Sequence, residues 1–91
     1  MPPIALDDLR KQRRWLLGRG ILAYTYVGED HYGVCVRTRV GKRYIAHHRL
    51  VAFGNRSQTE LIARLIDAMQ KAGDELFLLA LYLDSRECGG R

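Results

Sequence analysis

The residues best able to ligate a metal or carry a proton are His31, His47, His48, Cys35 and Cys88. Their spacing argues against a shared task. His47 and His48 fall in a run with the composition of a strand, where neighbours point to opposite faces and cannot easily hold one ion. His31 and Cys35 are too few to complete a site, so neither a metal nor a cofactor is expected. Asp7/Asp8 and Asp74/Glu75 are adjacent acids at element starts, better suited to capping than to acid–base work. There is no G-x-S-x-G, no P-loop and no H-E-x-x-H. Gly18-Arg19-Gly20 precedes a strand, where a dinucleotide fingerprint must precede a helix. No catalytic residue is assigned, and the expectation is a protein that is not an enzyme.

Cations are the more informative set. Arg37, Arg39, His47 and Arg49 lie on two neighbouring strands, with Lys42 and Arg43 at the turn between them. Alternation would gather most of them on one solvent face, beside tyrosines able to stack on bases. The alternative is a solvated sheet face whose charges discourage edge pairing. A second group, Arg10, Lys11, Arg13, Arg14 and Arg19, surrounds Trp15. Tryptophan flanked by arginine has the composition of an interface hot spot. The alternative, which the general burial of tryptophan slightly favours, is that Trp15 packs beneath residues 1–4 or against the sheet edge.

Elements must position these groups, and 91 residues allow one modest core. The fold class expected is α+β, a single domain over 1–91, with 5–84 as its core and 85–91 as a flexible tail. Residues 5–19 read as a helix with Leu6, Leu9, Leu16 and Leu17 on one face and Trp15 opposite. Residues 21–27, 31–40 and 43–53 read as three antiparallel strands. In the second, Tyr32, Val34, Val36 and Val40 face one way, and Gly33, Cys35, Arg37 and Arg39 the other. The register of the second hairpin decides where the cations go. A three-residue loop would pair Val40 with Tyr44 and Arg37 with His47, keeping Arg49 and His47 off the valine face. A two-residue loop would put both on it. Burying charge is expensive, which favours the first.

Ser57-Gln58-Thr59-Glu60 is a capping box opening an amphipathic helix with a charge-balanced outer face, which Gly73 should end. The apolar run 76–83 suits a strand buried on both faces, reached by a right-handed crossover. Such a strand needs cover on its second face, from the first helix or from a second copy, so a homodimer through 76–83 is one expectation.

The order α-β-β-β-α, followed by that strand, resembles the order of double-stranded RNA-binding domains. The second helix lacks the lysine-rich start through which that family grips phosphates. Residues 44–53 are similar to the hairpin-to-helix stretch of phage HNH endonucleases, which often carries His-Arg-Leu-Val-Ala-like text. No histidine follows His48 to complete that family's metal-binding core, and no catalytic role carries over.

A net charge of +5 favours anionic partners. No signal peptide and no membrane-length apolar run is evident, so a cytoplasmic location and no membrane partner are expected. The leading expectation is a small regulator, adaptor or inhibitor of the phage or mobile-element type. It would dock on an acidic protein surface or a nucleic-acid-processing complex through Arg37, Arg39, Lys42, Arg43, His47, Arg49, Trp15 and Arg14. The alternative is direct binding of DNA or RNA by the basic hairpin face.

Overall fold

The computed structural model describes residues 6–89, with side chains as far as Arg86. Helix α1 (Leu6–Gly18) leads into strands β1 (Ile21–Val27), β2 (His31–Val40) and β3 (Arg43–Ala52), and helix α2 (Gln58–Gly89) follows. The strands form an antiparallel sheet in the order β1-β2-β3. The fold is therefore the α+β arrangement expected, with a different ending.

That ending is the first correction. Residues 76–83 are not a strand reached by a crossover; they continue α2, which runs for 32 residues. Two local facts explain it. The stretch 74–86 contains no β-branched residue, and its leucines, alanine and glutamate are good helix formers. Gly73, expected to end the helix, is buried inside it because α1 comes close there. A side chain at that position would collide with Leu16, whose Cδ2 would lie 2.6 Å from an added Cβ. The helix also extends through 85–89, part of the segment expected to be a flexible tail.

Both helices lie on one face of the sheet. Leu9 and Leu16 from α1, Ile21 and Ala23 from β1, Val34 and Val36 from β2, and Leu65, Met69, Ala72 and Leu76 from α2 form a continuous buried cluster. Of the four leucines assigned to one face of α1, Leu9 and Leu16 are buried, while Leu6 and Leu17 are exposed. Arg13 extends past them and donates from Nε to the Ala23 carbonyl at 3.1 Å, tying α1 to the outer edge of β1. The capping box forms as read, with the Glu60 amide donating to Ser57 Oγ at 3.2 Å. The molecule measures 52 × 28 × 16 Å. Its shortest dimension suits two layers and its longest follows α2, about 48 Å at 1.5 Å per residue.

The hairpin register is the second correction. Val40 pairs with Arg43 across a two-residue loop, so Arg37 faces Ala46, Val36 faces His47 and Val34 faces Arg49. Gly41 has φ = +61°, and Lys42 has no positive φ. This is the pattern of a type II′ turn, which demands glycine at its first central position and matches the sheet twist. His47 and Arg49 consequently point to the helix side with the valines. The charge penalty that argued against this register is avoided, because β3 is an edge strand and both side chains reach its rim. There the carboxylate of Glu75 on α2 receives them: Arg49 Nη2 is 2.6 Å and Arg49 Nε 2.7 Å from Oε1, and His47 Nε2 is 3.0 Å from Oε2.

Candidate docking faces

Pairing across an antiparallel ladder puts opposed residues on the same face. The face turned away from both helices therefore carries Leu22, Tyr24 and Tyr26 from β1, Gly33, Cys35, Arg37 and Arg39 from β2, and Tyr44, Ala46, His48 and Leu50 from β3. At its β1 edge Leu22 shares a hollow with Arg13, Arg14 and Leu17 of α1. Leu22, Tyr24, Tyr44 and Leu50 are between 42% and 65% exposed, a level uncommon for four large apolar groups on one small sheet. Strands of seven to ten residues give this face a length of up to roughly 33 Å.

The rings lie across the sheet as well as standing on it. Tyr26 covers Gly33, where an added Cβ would run into the phenol ring. Its ring meets His31 and His48 edge-on, at centroid separations of 6.4 and 6.3 Å. Cys35 is buried beneath this layer, 3.7 Å from His48 Nε2. A hydrogen bond with Cys35 is the first cause of a Tyr24 phenol held above its ordinary pKa. The Arg37 guanidinium stands 5.8 Å from the Tyr44 ring centroid, a cation–π pair toward the tip of the hairpin. None of the strand residues is Asp or Glu, so no carboxylate on the strands offsets Arg37 and Arg39.

The predicted basic set is thus divided. Arg37 and Arg39 are on the open face, with Arg39 Nε donating to the Gly41 carbonyl at 2.8 Å. Lys42 and Arg43 are exposed at the hairpin tip. His47 and Arg49 belong to the opposite side and are engaged by Glu75. That carboxyl is held below the ordinary range, chiefly by the Arg49 hydrogen bond, with His47 helping against partial desolvation. His47 and His48 point to opposite faces, as strand alternation requires. Among the described residues, no three His, Cys, Asp or Glu side chains converge as metal ligands do.

No protein-family model, curated protein or solved structure matches this chain. Its function has to be argued from its own surfaces. The observed order α-β-β-β-α is that of double-stranded RNA-binding domains. Yet α2 opens on Gln58-Thr59-Glu60-Leu61, which carries a carboxylate and no lysine, so the phosphate grip of that family has no counterpart there.

Trp15 lies apart from the open face. It is 52% exposed, and Arg19 is stacked between it and Phe77 of α2, 4.7 Å from one ring centroid and 4.4 Å from the other. Packing beneath residues 1–4 lies outside the described residues. Arg14 lines a different hollow, about 310 Å³, with Arg10, Arg13, Leu17 and Leu22. Arg10 there is already paired with Asp7 at 3.1 Å. Sequence reading missed the open-face residues Leu22, Tyr24, Tyr26 and Leu50 and the role of Glu75. Strand alternation held the signal for the first four, given the pairing of β1 with β2 for Leu22, Tyr24 and Tyr26 and the two-residue loop for Leu50. Among the described residues, no helix is long and apolar enough to cross a membrane.

Proposed function

We propose that this chain is a non-enzymatic binding protein, a small cytoplasmic regulator, adaptor or inhibitor that docks on an acidic protein surface through its open sheet face. The observation that carries this reading is the composition of that face: exposed tyrosine and leucine around arginine, with no acid on any strand. Tyrosine and arginine are the residues that dominate protein interface energetics, and interface centres are depleted of Lys, Glu and Asp. Leu22 and Leu50 gain little from a phosphate backbone and much from an apolar partner centre. The engagement of His47 and Arg49 by Glu75 removes two of the cations that a phosphate track along the hairpin would use.

Direct binding of single-stranded nucleic acid remains the second reading, favoured by Tyr24 and Tyr44 as stacking surfaces beside Arg37. Two measurements separate them. In anisotropy titrations with labelled single- and double-stranded DNA and RNA, the docking reading expects no affinity to survive physiological salt. After nuclease treatment of native-cell extract, it expects one protein to be retained by the wild-type chain. Arg37→Ala or Tyr44→Ala should weaken retention about thirtyfold, a loss of about 2 kcal/mol, and Arg43→Ala should leave it intact. Nucleic-acid affinity that persists at physiological salt, falls steeply above it and is lost in Arg37→Ala would replace docking with the second reading.

A further inference from the structure

The outer side of α2 changes character along its length. Residues three and four apart share a helix face, and Asp67, Lys71, Asp74, Leu78, Leu81 and Ser85 form one such line, with Leu81 on the flank that borders the hairpin tip. All six are exposed. The first half of that line is polar, with Lys71 and Asp67 paired at 3.0 Å. In the second half, Leu78, Leu79, Leu81 and Tyr82 are 41–66% exposed within five residues. The helix has by then passed Leu76, the last fully buried leucine of the core, so this ridge is not required to complete the fold. Trp15, Arg19 and Phe77 extend it sideways as a stacked edge.

Charge distinguishes this ridge from the open sheet face. A two-fold interface sets one patch against itself, so each charge in it must find an opposite charge in the same patch. The sheet face fails that condition, since Arg37 and Arg39 would meet their own copies with no acid between. The ridge carries both signs: Asp74 and Arg86 stand near its two ends on α2, and Arg19, from the connection after α1, borders Asp84 beside Phe77. Direction follows from the same requirement. Parallel helices would bring Asp74 against Asp74. Antiparallel helices set Leu78 against Leu81 and bring the Asp74 end of one helix to the Arg86 end of the other.

We propose that the leucine ridge of α2 binds a second copy of this chain, the two helices running antiparallel over about the stretch 74–86. The open sheet faces are left outward, so each dimer presents two. The proposal uses residues distinct from those of the docking face, and the two can fail independently.

Sedimentation of the full chain from micromolar to near-millimolar concentration tests it. Twice the chain mass is expected at the upper end. Leu78→Asp and, separately, Leu81→Asp should raise the dimer dissociation constant at least about tenfold, because each buries an unpaired charge in the pair. Both positions are exposed in one chain, so circular dichroism and melting should stay as in wild type. Asp74→Arg should weaken the dimer, and adding Arg86→Asp should restore it. Arg37→Ala should leave it unchanged. A monomer at every concentration overturns the proposal, as does a dimer that survives Leu78→Asp and Leu81→Asp but is lost in Tyr44→Asp. Failure of the charge exchange to restore association overturns the antiparallel arrangement.

Discussion

Glu75 is the residue through which α2 holds the edge strand β3. It accepts from Arg49 and His47 at the rim of the sheet, and its carboxyl is more acidic than an ordinary glutamate for that reason. A carboxylate with a lowered folded pKa adds stability above its unfolded pKa. That contribution disappears as pH falls through the folded value. Glu75→Gln should therefore melt below wild type at neutral pH, and the two melting curves should converge under acid conditions. Asp30, also lowered by its neighbour His31, titrates in both proteins and cancels in the comparison. Melting curves from neutral pH down through the carboxylate range measure the effect directly. A constant gap at every pH would mean that Glu75 acts through packing instead of charge.

At the scale of elements, Gly73 governs how the helices meet. It lets Leu16 of α1 nest against α2 where any side chain would intrude. Gly73→Leu should cost about 3 kcal/mol in chemical denaturation, as overpacking displaces Leu16, despite the better helix propensity of leucine. The same glycine shows why the fold was only partly legible in the chain. Strand boundaries, the capping box and the apolar face of α2 follow from period and turn chemistry, and each was readable. A glycine that stops a helix and one that admits a neighbouring helix look alike until the neighbour is placed. The hairpin register failed for a related reason. Weighing the cost of burying Arg49 requires knowing that Glu75, 26 residues later, waits at the rim. Gly41, the first central residue of the turn, was the local signal for the two-residue loop and was the better guide.

For the whole molecule, the expected concentration of positive charge proves to be spread over several surfaces. One pair of cations is engaged by α2, another stands on the open sheet, and others lie at the hairpin tip, on α1 and along α2. The candidate site was legible as residue types, since Arg37 and Arg39 were assigned to the exposed side of β2 and remain there. The aromatic surroundings that make them a face were not, because they depend on the registers of both β1 and β3 against β2. The chain that emerges has two unlike surfaces, a cationic aromatic sheet and a mixed-charge leucine ridge. The sequence contains a single tryptophan, and Trp15 stands beside the ridge, separated from Phe77 only by Arg19. The sheet face bears tyrosines alone among the fluorescent side chains. Tryptophan emission thus belongs to the ridge side alone, while tyrosine emission is shared by the sheet and by Tyr82 on the ridge. Pairing at the ridge should move the tryptophan spectrum with concentration, while occupancy of the sheet should leave the tryptophan maximum in place, so the protein carries its own unlabelled reporter of pairing.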